Sequence, residues 1–377
     1  MAAVKERTER DVVLSNLKEM ISERIHNYIP EEYKYADIKF MDIMKNNGEE
    51  LPALVINPEG INVSPTIYLD PFIDAYSANI PDEEILGKIG QLFAENIGQG
   101  ESFADRVIRS LDEGDKGFDL IKDSVIMRVI NTEMNSSALK DMPHRNVEDL
   151  SLIYSVLLRR DYDDALGTVK INNQMMETWG VTEDELYKTA VENTPRLLPT
   201  SIRPMQEVLG DLIATGVSEG GESPLIDMYI ITNEEKTNGA AVPFCDKASI
   251  DGLCDRLGKG LILLPSSIHE LIALPDNNAE GIGDLAELIQ HVNETQVASM
   301  EVLGSEPYHY DKETGFMLAE RFEKLQEERQ LEKVANKAAE INSIGKQAAE
   351  TKPAEEIKPD DEEVVSQAVF SYTPGLA

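Results

Sequence analysis

Leu225-Ile226-Asp227-Met228-Tyr229-Ile230-Ile231 opens the stretch, ending at Asp276, that decides the fold class. This apolar run, rich in β-branched residues and bounded by Pro224 and Thr232-Asn233, predicts a strand. Gly239-Ala240-Ala241-Val242-Pro243-Phe244 predicts a second, weaker strand, with Pro243 favouring its end or a sheet edge. Ile250, Leu253, Cys254 and Leu257 then fall at i, i+3, i+4 and i+7, the apolar stripe of a helix. Asp246 suits its N-cap and Gly258 its stop. Leu261 to Leu264 and Ile268 to Leu274, separated by Pro265-Ser266-Ser267, are too short for helices and predict two more strands. They are apolar on both faces, which requires cover on both sides and places the sheet at the centre of a domain. The stretch reads ββαββ.

Outward from it, the fold class is α+β, with mixed or antiparallel sheets and flanking helices. Residues 11–29 carry an apolar helical face of Val12, Leu17, Met20, Ile21 and Ile25. Ile38 to Met44, Asn46-Asn47-Gly48 and Leu51 to Ile56 form a hairpin pattern, extended by Ile61 to Leu69. Helices follow from Asp82 to Ile97 and from Ser102 to Leu111. Val125 to Ile130 fits a strand or a buried helical turn. Leu150 to Leu158 and Thr168 to Ile171 read as paired strands joined through Asp161-Tyr162-Asp163-Asp164. Thr182 and Glu185 have the spacing of a capping box. Met205 to Ile213 predicts a short helix, and Gly216 to Glu222 a linker.

On the C-terminal side, Gly283 to Met300 predicts a helix. Phe316 to Ala349, rich in Ala, Glu, Lys and Gln, predicts a long solvated one. Thr351 to Ala377 has the composition of a disordered tail. The expected organisation is an N-terminal part (1–112) of helices and a small antiparallel sheet. A central α+β domain (113–305), a solvated helix (306–350) and an acidic tail (351–377) follow.

Seventy Asp and Glu against thirty-five Lys and Arg leave a formal charge of −35, which argues against direct binding to nucleic acid or to anionic membranes. No apolar h-region opens the chain and no run of about 18 apolar residues occurs, so the expected location is cytoplasmic. Cys245 and Cys254, the only two cysteines, form no C-x-x-C pair. No Walker A loop, G-x-G-x-x-G, H-E-x-x-H, G-x-S-x-G or EF-hand loop is present. The residues imply no metal and leave any cofactor unknown. Asp161, Asp163 and Asp164 lack the glycine and spacing of a calcium loop.

Two groups remain as candidates for chemistry. Ser266-Ser267-Ile268-His269-Glu270 places hydroxyls, an imidazole and a carboxylate within five residues. A hydrolase would need a hydroxyl and a carboxylate on opposite nitrogens of that imidazole, drawn from Ser267, His269 and Glu270. A Ser-Ser turn before a polar strand entry accounts for the same residues. His144-Arg145 is the second group; a loop His beside an Arg suits a carboxylate or phosphate. Arg196 and Arg203, in the Pro-rich segment Thr194 to Pro204, are candidate ligand-binding residues for the same pocket.

Asn47-Gly48, Ser64-Pro65-Thr66-Ile67-Tyr68-Leu69, Ile130-Asn131-Thr132-Glu133, Pro143-His144-Arg145, Asp149-Leu150-Ser151, Trp179-Gly180-Val181-Thr182, Asn193-Thr194-Pro195-Arg196-Leu197-Leu198-Pro199, Asn238-Gly239-Ala240-Ala241 and Leu264-Pro265-Ser266-Ser267-Ile268-His269-Glu270 together carry a resemblance. They resemble, over about residues 10–300, a family of uncharacterised proteins from anaerobic, largely gut-dwelling Gram-positive bacteria, known as a domain of unknown function. Met175 to Pro199 and Leu261 to Asp276 also look like a second uncharacterised family of smaller bacterial proteins. Neither resemblance implies a reaction or a ligand.

The leading expectation is a non-enzymatic protein that binds a ligand or a protein partner, the latter through the C-terminal helix. The alternative is a hydrolase-type enzyme at one of the two groups, which requires His144, Arg145 and His269 to converge. A weaker one is an acidic mimic of nucleic acid that occupies a basic protein, which requires carboxylates aligned on one face.

Overall fold

The computed structural model of the 377-residue chain describes residues 2–59, 64–97, 101–159, 166–208, 228–276 and 282–350. Three antiparallel sheets and their flanking helices make an α+β fold. Strands β1 (Asp37–Met44) and β2 (Glu50–Asn57) form the expected hairpin, paired from Asp37↔Asn57 to Met44↔Glu50. Asn47 and Gly48 both have positive φ at its tip, a conformation that Asn and Gly accept most readily. β3 (Thr66–Tyr68) completes this sheet beside β2. The helix Ala2–Arg24 contributes Leu17 and Ile21 to a core shared with Leu54, Ile56, Ile89 and Phe93. The helix Asp82–Asn96 opens on three acids, where its dipole favours them, and Arg24 bonds two of these, Asp82 and Glu83, at 2.7 Å each.

The second sheet comprises β4 (Val125–Asn131), β5 (His144–Val147), β6 (Leu150–Arg159) and β7 (Leu166–Lys170). β4 lies along one edge of β6, and β5 and β7 succeed each other along the opposite edge. Alternation divides β6 cleanly. Leu152, Tyr154 and Val156 enter the main core, while Ser151, Ile153, Ser155 and Leu157 face the other way. Val125 to Ile130 is therefore strand, not helical turn.

The third sheet has six strands in the order β13-β12-β10-β11-β9-β8, from β8 (Thr200–Pro204), β9 (Tyr229–Asn233), β10 (Leu261–Ser267), β11 (Glu270–Pro275), β12 (Tyr308–Asp311) and β13 (Gly315–Leu318). Leu261 and Leu263 enter the main core, while Ile262 and Leu264 pack beneath Ile289 of the helix Ile282–Thr295. The sheet is thus covered on both faces, as its apolar runs require. The helix Lys247–Leu257 is capped as expected: Asp246 accepts from Ser249 N at 3.2 Å, and Gly258 ends it at φ +67°. The Thr182–Glu185 capping box also forms. Trp179 is a buried anchor whose indole donates to Ser110 O at 3.1 Å.

Three expectations are corrected. Residues 239–245 are helical, a 3-10 turn (Gly239–Ala241) followed by a short helix (Val242–Cys245). Asn238 enters at φ +53°, and Pro243 occupies the first turn, where its missing N–H costs nothing. The predicted ββαββ unit is consequently a piece of a larger antiparallel sheet, with one strand fewer and β8, β12 and β13 added at its edges. Phe316 belongs to β13, stacked on Tyr308 at 4.6 Å, so the long helix starts at Ala319 and runs to Glu350. On that helix Leu331 and Val334 are exposed. The expected loop at Asp161–Asp164, the linker at 216–222, most of the helix Met205–Ile213 and the tail from Thr351 lie outside the described residues.

Candidate functional site

His144 and Arg145 are consecutive on β5 and therefore point to opposite faces of the second sheet. Arg145 reaches toward the helix Glu183–Leu197, donating to Glu183 at 2.7 Å and Asp184 at 2.6 Å, and lies 3.9 Å over the Tyr187 ring. Tyr154 donates to the second Glu183 oxygen. The bond to Glu183 raises the Arg145 pKa, and burial raises that of the Tyr154 hydroxyl. The guanidinium is spent on holding a helix to a sheet. Arg196 donates to Asp123 O and Asn193 Oδ1, both at 2.8 Å, and Arg203 lies 3.8 Å from Glu207.

The Ser267–Glu270 turn joins β10 to β11 across a register shift. The Ser267 hydroxyl accepts from the His269 backbone N–H at 3.0 Å, and Ser266 donates to Glu270 at 3.2 Å. His269 Nδ1 accepts from Asn238 N at 3.2 Å, which puts the ring proton on Nε2, 3.5 Å from Glu301 Oε1. The imidazole therefore carries a backbone amide and a carboxylate, and no hydroxyl. The turn's backbone is also committed: the His269 carbonyl accepts from Gly239 N at 3.0 Å and Thr232 Oγ1 at 2.8 Å.

Asn238 links this turn to a group of cations. Its side-chain oxygen accepts from Arg128 Nε at 2.8 Å. Arg128 is the single charge in the β4 run Val125-Ile126-Met127-Arg128-Val129-Ile130. It stands on the sheet face turned away from the main core, in the row Arg128↔Ile153↔His144. The next row on that face is Ile126↔Ser155↔Lys170. Adjacent strands lie about 4.8 Å apart, so Lys170 stands directly across from Ser155, while Arg128 stands diagonally across from it on the other side, one row along. His144 is half-buried beside Lys170 on the same edge, with Nδ1 2.8 Å from Met142 O. Apolar groups close both ends of the face, Leu139, Met142 and Ile130 at one and Ile126, Leu157 and Leu198 at the other.

The electrostatics of this face are unusual for so acidic a chain. Enclosure by protein lowers the Arg128 pKa. Desolvation, then the charges of Arg128 and Lys45, lower that of the Lys170 amine. Among the described residues no carboxylate pairs with Arg128 or Lys170. Ser155 is fully buried and its hydroxyl has no partner. Lys45, at the tip of the β1–β2 hairpin, donates to the Tyr68 hydroxyl and lies over that ring. Asparagines place it there: Asn46 donates to Met300 O, and Asn47 to Ser299 O and Val302 O, at 2.7–2.8 Å, while Asn135 clasps Asn47.

Of the sequence candidates, His269 joins this group through Asn238 and His144 flanks it. Arg145 does not. Ser267 and Glu270 stay within their own turn. Arg128, Lys170, Ser155 and Lys45 went unread in the sequence, although a lone Arg inside an apolar strand is itself a signal.

The match of a single family model to residues 14–312 covers both the hairpin and this face. The chain belongs to the family of unknown function DUF5688. No curated protein and no solved structure matches it. The match takes in Lys45, Arg128, Ser155, Lys170, Asn238 and His269, so the face is part of the DUF5688 region itself. No group of three or more His, Cys, Asp or Glu among the described residues is placed to hold a metal ion, and no helix among them is long and apolar enough to cross a membrane.

The two cysteines of this region are packing residues. Burial, with Asp246 adding to it, pushes the Cys245 thiol up to about 12, and burial pushes Cys254 to about 11. Neither thiol is expected to react with a disulfide reagent at pH 8 while the protein is folded, because the thiolate is the nucleophile. Both should titrate after denaturation. Stoichiometric labelling of the native chain faster than it globally unfolds would refute this.

Proposed function

We propose that this protein binds a small anionic ligand on the outer face of the second sheet, with no catalytic step of its own. The observation that carries this reading is the pair of desolvated cations, Arg128 and Lys170, without a carboxylate partner among the described residues. Buried charges in proteins are ordinarily paired, since an unpaired one costs several kcal/mol. Carboxylates are abundant in this chain, seventy of them, yet among the described residues none pairs with either cation of this face. A ligand that supplies the negative charge accounts for the arrangement. Ser267, His269 and Glu270 support the site's frame in this reading, rather than a hydrolytic triad.

The test is thermal unfolding at constant ionic strength with phosphate, sulfate, acetate and chloride. Binding to the folded state raises the Tm. Phosphate and sulfate also stabilise proteins generally by exclusion from their surfaces, so the comparison must be with Arg128→Gln. At least one anion is expected to raise the Tm of the wild type by several degrees more than that of the variant. Equal responses in the two proteins for every anion would defeat the proposal.

A further inference from the structure

We infer that the anion is a phosphoryl dianion, free phosphate or a phosphate monoester, gripped by Arg128, Lys170 and the Ser155 hydroxyl. This rests on the anion-binding reading above and deepens it. Three features of the face select the ligand.

The first is charge. Two desolvated cations stand in adjacent rows of one sheet face, and Lys45 is near enough to add to the field at Lys170. A carboxylate monoanion leaves one of the two uncompensated, whereas a dianion neutralises both. The second is donor geometry. Arg128 commits Nε to Asn238, which orients its guanidinium and leaves the terminal nitrogens for the ligand. Lys170 has no hydrogen-bonding partner among the described residues and is paired across the sheet with Ser155. The Ser155 hydroxyl, fully buried and without a partner, is the third donor. Three donors on one sheet face, from three neighbouring strands, suit the three terminal oxygens of a tetrahedral phosphoryl group; a planar carboxylate has only two oxygens to offer. The third is the absence of competition. Among the described residues no carboxylate pairs with either cation, and Glu301 lies on His269 instead.

The His269–Asn238–Arg128 chain makes Asn238 a positioning residue. Its backbone N–H is held by the imidazole and its side chain holds Arg128, so the turn between β10 and β11 sets where the guanidinium stands.

Isothermal titration of the full chain at pH 8 with inorganic phosphate, glycerol phosphate and acetate tests the assignment. At that pH phosphate monoesters, with a second pKa of about 6, are dianions. Phosphate or glycerol phosphate is expected to bind at least tenfold more tightly than acetate. Ser155→Ala should weaken the phosphoryl ligand about tenfold, the loss of one hydrogen bond to a charged group, and leave acetate within about twofold. Preference for inorganic phosphate would identify the free ion, and preference for glycerol phosphate an ester. Acetate binding as tightly as phosphate, or phosphate binding unchanged in Ser155→Ala, would overturn the phosphoryl assignment while anion binding stood. Failure of all three ligands to bind would end both readings.

Discussion

A Gly239→Ala variant is expected to be less stable than the wild type by about 3 kcal/mol, the upper part of the range for forcing an extra methyl into a packed interior. A Cβ at this position would sit 2.3 Å from the His269 carbonyl oxygen, 2.5 Å from Thr232 Oγ1 and 2.6 Å from Thr232 Cα. Two of these atoms are backbone, in a turn and a strand of the same sheet, so neither can swing aside. Gly239 N also donates to the crowded carbonyl, and Ala240 N donates to Ile268 O at 3.3 Å. The added methyl would therefore separate two segments that hydrogen-bond each other. Asn238 would move with them, and Arg128 would lose its one neutral partner. Urea denaturation measures the first effect, and loss of the anion-induced rise in Tm the second. Gly252→Ala is the matched control, because a Cβ there meets nothing within 4 Å in the helix Lys247–Leu257. It should be neutral or stabilising by up to about 1 kcal/mol. Equal destabilisation by the two substitutions would show that close backbone approach is not what Gly239 provides.

What could be read in the sequence follows from how local each signal is. The β1–β2 hairpin was legible because Asn47-Gly48 specifies its own turn, and the helix at 247–257 because Asp246 and Gly258 mark its ends. Residues 239–244 misled because Val and Phe suit a strand by composition. What makes them helical is the left-handed Asn238 and the Gly239 bond to a carbonyl thirty residues away. β12 and β13 were hidden by their brevity, and Phe316 by the helix-forming residues after it. The site was hidden more deeply. Arg128 and Lys170 come from two strands of one sheet and Lys45 from the hairpin turn of another, and only the register of β4, β6 and β7 brings the first two to the face that carries Ser155. His144 and Arg145 illustrate the converse: neighbours in sequence, they were grouped as one site, yet strand alternation divides them between opposite faces. Composition did leave one clue. With acids outnumbering bases two to one, a base left unpaired is conspicuous, but pairing is a property of the fold alone.

Lys170→Met is expected to make the ligand-free protein more stable and the phosphate-bound comparison less favourable to the variant. The amine is half-buried, desolvated and within the field of Arg128 and Lys45, so in the absence of a ligand its charge opposes folding. Methionine keeps the apolar stem that packs on the sheet and removes the charge. The gain should be about 1 kcal/mol, the low end for replacing desolvated charge by apolar volume, because the side chain still meets solvent. Its pH dependence has a definite sign. The folded-state pKa of Lys170 lies below the ordinary lysine value of 10.5, so the unfolded chain binds more protons as the pH approaches that value from below. Wild-type stability then rises with pH relative to the variant, and the gap between them should close toward pH 10. Added phosphate should reverse the order near neutral pH. The wild type gains RT ln(1 + [L]/Kd), about 2.7 kcal/mol at a hundredfold excess over Kd, and the variant gains far less. Urea unfolding of both proteins with and without phosphate, at pH 7 and pH 9.5, supplies all four comparisons. A wild type that is already the more stable without ligand, by a margin independent of pH, would mean that Lys170 is satisfied within the fold and that the face needs no anion.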